Sequence, residues 1–323
     1  MKSLHESIDK ILHLPYLPTA TASKKRSKRM SKTSCVTPVV GCLELIENVI
    51  GSDGIWQTSN RRQREFVENR VRVGSVRSLN ELKGCASRRA SEVNAFTKEE
   101  GFPDVHLDDL GDANSMYVAS ILKLLTQWLT PGTKCQITTQ DGAFPGVWLN
   151  ESDAQVSFFE PHRWDRPVAC IPTKSGDMVY LAKMDQTHAH ELLDSPLVRF
   201  PSLSQSTGRH VSDFNSVQFP MVTLDQMVDL SWIQGMSTSG SDGLPAIIAQ
   251  AKQQTKFRMN LEGANVESAS AMSMRVGAAP GLKRRSPLII NEPFLIWIHR
   301  PSLLAPLFAG HITPEDWKDP GTL

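Results

Sequence analysis

The residues that could catalyse a reaction lie in two short segments of the chain. Gly235-Met236-Ser237-Thr238-Ser239-Gly240 is similar to the turn that exposes a catalytic serine, but its second glycine stands one residue too late. His188 and His190 would share one face of a strand and could bind a metal ion there. Because no further ligand stands at a recognisable spacing, we predict a surface histidine pair instead. We therefore predict no catalytic residue, no metal and no cofactor, so that the chain is not an enzyme.

The densest cluster of charge lies near the N-terminus. Six basic residues fall within nine positions: Lys24, Lys25, Arg26, Lys28, Arg29 and Lys32. Because like charges repel one another, we predict a solvated surface loop over residues 20–33. Basic runs of this kind also direct proteins to the nucleus or bind polyanions such as heparin or nucleic acid. A polyanion contact is therefore a second hypothesis for this segment.

The composition limits the class of protein. With 323 residues and 40% hydrophobic content, the chain can bury the core of one large domain. Its formal net charge of +1 gives no overall attraction to nucleic acid or to a membrane surface, and no apolar run approaches the ~20 residues of a membrane helix. Five scattered cysteines and the lack of a signal peptide favour an intracellular monomer, or an extracellular one if the N-terminus is incomplete.

The spacing of apolar residues outlines an α+β domain. It predicts helices over residues 6–13 and 38–50, the second with a proline in its first turn and a glycine after its end. The charged stretch 61–89 predicts surface helix and loop. Short runs rich in Val, Ile, Phe and Trp over residues 135–185 predict antiparallel strands. Residues 255–260 predict a further strand.

A segment in the C-terminal quarter has the pattern of a strand but lacks the side chains to hold one. It follows Asn260-Leu261-Glu262-Gly263 and covers residues 264–274. On a strand, one of its faces would carry no charge: Ala264, Val266, Ser268, Ser270, Met272 and Met274. These side chains are small, so they would not fix a strand by themselves. We predict a loop that can become a strand, hinged at the glycine and followed by a closing hairpin.

Several segments together suggest a known family. They are the hinge Asn260-Leu261-Glu262-Gly263, the late strands with Pro293-Phe294 and Pro306-Leu307-Phe308-Ala309-Gly310, the helix with Val93-Asn94-Ala95-Phe96, the central strand at residues 116–122, Trp128, and Thr37-Pro38-Val39-Val40 opening a buried helix. In this order and spacing they resemble the serpins, a family of serine protease inhibitors. The resemblance is most specific in the C-terminal part of the chain.

The resemblance implies a fold and its division along the chain. We expect one α+β serpin-like domain over residues 1–323, with mixed β-sheets surrounded by helices and an exposed reactive-centre loop. The hinge and reactive-centre loop would occupy residues 264–287, and the C-terminal strands residues 288–314.

The resemblance also implies a mechanism. A serine protease, or a cysteine protease, would attack the loop as a substrate, after which the freed loop would insert into the main sheet and trap the protease. The hinge residues carried over from the family are Glu262, Gly263, Ala264, Val266, Ser268 and Ser270. An alternative is a serpin-fold carrier, chaperone or storage protein that does not inhibit.

The bond that a protease would cut falls within Met274, Arg275, Val276, Gly277 and Ala278. The usual spacing from the hinge leads to Gly277-Ala278, whereas Arg275-Val276 would suit a trypsin-like enzyme and is the bond we favour. Met274 would suit an elastase-like or chymotrypsin-like enzyme.

The region where the sheet would open departs from the family pattern. Its residues are Thr37, Ser120, Trp128 and Gln253. Ser120 and Gln253 replace an asparagine and a histidine, and we expect them to form a weaker hydrogen bond with each other. Leu261 stands where the family has a glutamate that braces the hinge.

Overall fold

The computed structural model describes residues 30–70, 76, 79–111, 115–124, 126–161, 164, 166–194, 209–263, 285–303 and 305–323. The strands are β1 (Lys32–Ser34), β2 (Leu82–Ser87), β3 (Tyr117–Leu122), β4 (Thr133–Thr139), β5 (Gly142–Asn150), β6 (Ser157–Glu160), β7 (Val168–Pro172), β8 (Met178–Lys183), β9 (Arg209–His210), β10 (Phe214–Pro220), β11 (Val222–Val228), β12 (Ser237–Ser239), β13 (Pro245–Ile247), β14 (Gln253–Met259), β15 (Ser286–Ile289), β16 (Phe294–His299) and β17 (Phe308–Ile312). The helices are α1 (Thr37–Ile50), α2 (Arg61–Arg70), α3 (Ala90–Glu99), α4 (Glu151–Ala154) and α5 (Gln186–Asp194), with 3₁₀ turns at Ser231–Ile233 and Pro314–Asp316.

Helix α1 forms where its local signals predict it. Pro38 stands in the first turn, where the missing amide proton costs nothing. Gly51 ends the helix in the left-handed conformation, and its amide bonds to the Glu47 carbonyl. The predicted helix over residues 38–50 is therefore confirmed.

The largest sheet has seven strands in the order β1-β17-β16-β8-β7-β6-β9. Its centre is the predicted hairpin of β16 and β17, whose residues are all buried. One face of β16 contributes Ile296 to the main apolar core, whereas the other face turns Trp297 toward Tyr180, with the rings stacked at 4.9 Å. Because both faces are covered, the hairpin reads in the sequence as a continuous apolar run.

A second sheet has the order β15-β10-β5-β4 and packs against the same core. Val147, Leu149, Val217 and Leu288 fill its inner side. Strands β4 to β8 confirm the antiparallel strands predicted over residues 135–185.

Two separate two-stranded ribbons complete the sheets relevant to the site, β2 with β3 and β11 with β14. Helix α2 confirms part of the prediction for residues 61–89, but β2 lies where we predicted helix and loop. Leu82-Lys83-Gly84-Cys85-Ala86-Ser87 has no strand periodicity of its own, so its pairing with β3 determines its conformation.

An ion-pair cluster ties the β2–β3 ribbon to the large sheet. The Arg300 guanidinium, directly after β16, bonds both carboxylate oxygens of the buried Asp177 at 2.8 and 3.0 Å. The same guanidinium bonds Glu81, directly before β2, at 2.7 Å and lowers the pKa of that carboxyl.

Three sequence predictions need correction or fall outside the described residues. His188 and His190 lie on helix α5 and not on a strand. Residues two positions apart on a helix do not lie on the same face, so the predicted shared face is wrong. Lys32 lies in β1, opposite His311, so the predicted surface loop 20–33 ends before it. The predicted helix over residues 6–13 lies outside the described residues.

The described part of the chain contains no helix long and apolar enough to span a membrane. It also contains no cluster of His, Cys, Asp or Glu side chains that could hold a metal ion.

The buried histidine His311 leads us to predict that acid destabilises the fold. His311 is 0% exposed, donates from Nε2 to the Met184 carbonyl, and meets the His190 ring edge-on at 5.4 Å. Burial lowers the pKa of His311 to about 4, below the usual value of an exposed histidine, so the unfolded chain binds more protons between these two values. The free energy of unfolding should therefore fall as the pH drops from about 6.5 toward 4, by up to roughly 3 kcal/mol from this residue.

Urea denaturation at several pH values measures this effect. His311→Gln keeps a donor to Met184 but does not titrate, so the variant should lose part of the pH dependence. His210→Gln, which changes an exposed histidine of β9 at the opposite edge of the large sheet from β1, should keep it. An unchanged pH dependence in His311→Gln would contradict the prediction.

Candidate functional site

The segment after β14 folds into a tight turn, which we call the hinge (residues 260–263). Asn260 and Gly263 form an antiparallel bridge, with the Asn260 amide donating to the Gly263 carbonyl at 3.3 Å. The Asn260 side chain accepts a bond from the Glu262 amide at 2.9 Å and donates to the Gly321 carbonyl at 3.0 Å. The chain therefore reverses direction directly after β14.

The segment after β3 holds the hinge in place. The indole of Trp128, 2% exposed, donates to the Asn260 carbonyl at 3.1 Å. The backbone amides of Trp128 and Gly132 donate to the carbonyls of Glu262 at 3.2 Å and Leu261 at 2.6 Å. These bonds hold the hinge against the segment after β3, and the apolar Leu261 side chain packs on the core.

Gly263 fits where no other residue could. Its φ is +96°, a backbone conformation that residues other than glycine rarely adopt. A Cβ atom there would lie 2.6 Å from the Gln127 Cα, the Thr126 carbonyl and the Trp128 amide, all of them backbone atoms. The hinge and the segment after β3 therefore touch backbone to backbone.

Among the described residues, one edge of β3 and one edge of β14 have no strand partner, because β3 pairs only with β2 and β14 only with β11. The hinge joins the ends of both strands, and the two ribbons share one apolar core with helix α1. We call the interval between these two edges the seam.

Polar side chains lie beneath the seam, on the α1 side. They are Thr37, Ser120, Gln253 and Thr255. The prediction that Ser120 and Gln253 bond each other is wrong. Gln253 Nε2 donates instead to the carbonyl of Cys35, just before α1, at 2.8 Å. The buried hydroxyls of Thr37, Ser120 and Thr255 have no hydrogen-bond partner among the described residues.

The connection between α3 and β3 crosses above the β14 side of the seam, and we call residues 100–108 the strap. Lys256 donates to the Gly101 carbonyl at 2.9 Å and stands over the Phe102 ring at 5.5 Å. Gln254 donates to Asp104 at 3.0 Å. At the start of the strap, Glu100 pairs with lysines of β2 and of the segment after β3, Lys83 and Lys123, which lower the pKa of its carboxyl.

The described chain resumes at Arg285, inside the range predicted for the reactive-centre loop. Its guanidinium bonds the Ser212 carbonyl and the Glu151 carboxylate, each at 2.6 Å. Strand β15 begins at Ser286, so the regular structure starts inside the range predicted for the loop, 264–287. Sequence reasoning missed Lys256, Gln254 and Arg285. For Gln254 and Lys256 the only signal was their alternation with inward residues of β14.

Most of the predicted loop residues lie outside the described part of the chain. These are Ala264, Val266, Ser268, Ser270, Met274, Arg275, Val276, Gly277 and Ala278, together with Lys24, Lys25, Arg26, Lys28 and Arg29 of the basic cluster. Lys32 bonds the Asp194 carboxylate at 2.7 Å, so the one described member of that cluster has its charge paired within the fold.

No protein-family model and no curated protein matches the chain. Solved structures do match it, among them a serpin from the trematode Schistosoma haematobium with 12% identity over 87% of this chain and 93% of the other, at a TM-score of 0.52. The thermophilic serpin tengpin in its native state matches with 11% identity over 90% of each chain, at 0.55. Thyroxine-binding globulin in complex with thyroxine matches with 11% identity over 87% of this chain and 92% of the other, at 0.54.

Replacing Gly263 should loosen the hinge. Because a Cβ atom would meet three backbone atoms at 2.6 Å, Gly263→Ala should lower the free energy of unfolding by roughly 2–4 kcal/mol. Gly235→Ala is the matched control, since Gly235 also has a positive φ, +79°, but open space around it. That change should cost about 1–2 kcal/mol from backbone strain alone. Urea midpoints compare the two, and equal losses would contradict the backbone contact at the hinge.

Proposed function

Since the chain has the serpin fold, we propose that it inhibits proteases as a suicide substrate. The fold confirms the α+β, serpin-like architecture predicted from the sequence. The inhibitory function rests on the seam between β3 and β14, because it provides two unpaired edges beside a hinge that already reverses the chain. A strand placed there would hydrogen-bond along both of its sides, which is the mode of recognition called strand addition.

The hinge determines which loop residues would meet which residues of β14. Extending the Asn260–Gly263 bridge as an antiparallel register places Val266 opposite Phe257, Ser268 opposite Thr255 and Ser270 opposite Gln253. All three would then face the α1 side of the seam, where the buried hydroxyls lie. An inserted Ser268 would give the Thr255 hydroxyl a neighbour with which to bond, and an unpaired buried hydroxyl costs about 1–3 kcal/mol.

The same register places the loop's one acidic residue well. Glu267 would lie directly opposite Lys256, on the strap side of the sheet. Opposite charges in directly opposed positions of neighbouring strands stabilise the pairing by about 0.2–1 kcal/mol. On insertion Lys256 would exchange its contact with the strap for one with Glu267.

The trapping step follows from the length of the inserted strand. A protease would cleave the loop and remain attached through the acyl-enzyme bond while the freed segment inserts. For cleavage after Arg275, insertion of residues 264–275 at ~3.3 Å each would carry the protease on the order of 40 Å. Arg275-Val276 is the bond we favour, which implies a trypsin-like serine protease as the partner, and a cysteine protease could form the corresponding thioester.

A serpin-fold protein without inhibitory activity is the second candidate. Two observations favour it: the hinge is already held by several hydrogen bonds, and thyroxine-binding globulin, whose name describes a carrier, matches as well as the serpin structures do. In this case the loop would be cleaved without insertion.

Mixing the protein with trypsin-like, elastase-like and subtilisin-like proteases tests the proposal. We expect a complex at the summed mass that survives boiling in detergent, because the acyl bond is covalent. Sequencing the released C-terminal peptide locates the cleaved bond. Cleavage without a complex by every protease would overturn inhibition and support the second candidate.

Ser268→Glu should convert the inhibitor into a substrate, because the carboxylate would have to be buried beneath the seam. The ratio of trapped to released protease should fall at least about tenfold, since a free-energy penalty of about 1.4 kcal/mol on insertion already lowers such a ratio tenfold. Asn265→Glu is the matched control, because residue 265 would lie opposite Arg258 on the exposed side. Equal complex formation by both variants would contradict the register.

Exchanging charges tests the register independently. Lys256→Glu should lower the fraction of protease trapped, since the introduced carboxylate would face that of Glu267, and adding Glu267→Lys should restore part of it. The ratio of inhibitor consumed to protease trapped is the measurement. If Glu267→Lys restores nothing, the two residues do not meet in the inserted state.

A further inference from the structure

Four residues form a straight row across the outer face of the second sheet. Thr133 of β4 stands opposite Trp148 of β5, Trp148 opposite Gln218 of β10, and Gln218 opposite Ile289 of β15. Because directly opposed residues of neighbouring strands point to the same side of a sheet, the four side chains share one face. We call them the sheet-face row.

The row exposes two large apolar side chains that the core does not use. Trp148 is 41% exposed and Ile289 38%, whereas their strand neighbours Leu149 and Leu288 are buried in the core. The row carries no formal charge, and two charged residues beside its ends are paired within the protein, Arg285 with Glu151 and Lys134 with Asp319. Tryptophan in such a position is the residue type most enriched among the residues that dominate binding energy at protein interfaces.

The row also lies between the two anchors of the reactive-centre loop. Thr133 directly follows Gly132, whose amide bonds the Leu261 carbonyl at the hinge. Ile289 ends the strand that begins directly after Arg285, the other anchor. Three strand spacings of ~4.8 Å make the row about 15 Å long. Residues 264–284 connect these two anchors along the chain, so the row lies on the sheet between the two ends of the segment that a protease would bind.

We infer that the sheet-face row is a docking surface for the protease that attacks the loop, contacted by an uncharged, apolar part of the protease beside its substrate cleft. This inference rests on the proposed function, because it takes the loop as the protease's substrate. The occupant follows from the position of the row between the two loop anchors and from its lack of charge. Trp148 supplies most of the contact and Ile289 extends it toward Arg285.

The rate at which trypsin cleaves the loop tests the inference without requiring inhibition. We expect Trp148→Ala to lower kcat/KM for cleavage between residues 264 and 284 about tenfold, and Ile289→Ser to lower it about threefold, with the cleavage site unchanged. Leu244→Ala and Ile247→Ala remove equally apolar side chains, each 64% exposed, on the β12–β13 hairpin and should leave kcat/KM unchanged. A synthetic peptide of residues 264–284, which lacks the sheet, should be cleaved like the Trp148→Ala protein.

The outcomes separate this inference from the proposed function. If neither the wild type nor any variant forms a covalent complex, but Trp148→Ala and Ile289→Ser still slow cleavage, the proposed inhibition is wrong and the docking surface is supported. Unchanged kcat/KM in both variants, with urea midpoints like the wild type, overturns the docking surface even if complexes form. Faster cleavage of Trp148→Ala would show that the loop itself lies on the row, and a loss of dimer in Trp148→Ala would show that a second copy does. Either result overturns the inference, and so does a loop that trypsin does not cleave, whereas inhibition is then decided by the elastase-like and subtilisin-like proteases.

Discussion

The backbone edges of β3 and β14 that have no strand partner in the described part of the chain are the constraint on which the rest of the structure depends. Amide and carbonyl groups along a strand need partners, and an open edge attracts any strand that can reach it. The fold keeps these two edges apart and covered: α1 supports both ribbons from below, the strap binds Lys256 and Gln254 from above, and the hinge joins the strand ends. Under the proposed function, the segment that follows the hinge in the chain would fill the seam.

Under the proposed function, the polar groups beneath the seam would give the states before and after insertion different energies. The hydroxyls of Ser120 and Thr255 are buried without a partner among the described residues. Such groups lower the stability of the state in which they occur, and they favour any rearrangement that supplies them with bonds. A polar inserting face, with serines at 268 and 270, would suit the polar side chains beneath the seam better than a wholly apolar face would. The same residues that weaken the unfilled state would thus stabilise the filled one.

The seam can open only if the scaffold around it stays rigid. The hairpin of β16 and β17 is buried on both faces, and Arg300 connects it to Asp177 and to Glu81 at the start of the β2–β3 ribbon. On the other side, Arg285 and β15 hold the far end of the loop against the second sheet. Both ends of the segment 264–284 therefore adjoin rigid structure, and under the proposed function the exposed side chains of the sheet between these ends would face a bound protease.

The sequence by itself determined the elements whose signals are local or strongly apolar. Helix α1 followed from its proline, its apolar spacing and Gly51, and the β16–β17 hairpin followed from two apolar runs. The turn at residues 260–263 lies where the sequence predicted a hinge, whereas the residues that would move about it lie outside the described part of the chain. Strand β2, the partner of Gln253 and the places of Lys256 and Arg285 were decided only by the tertiary structure. Each of these depends on which group of a distant segment comes within hydrogen-bond distance, and no local pattern of residues predicts that. Gln253 bonds Cys35 and not Ser120 because the segment that leads into α1 places the Cys35 carbonyl 2.8 Å from the amide nitrogen of Gln253.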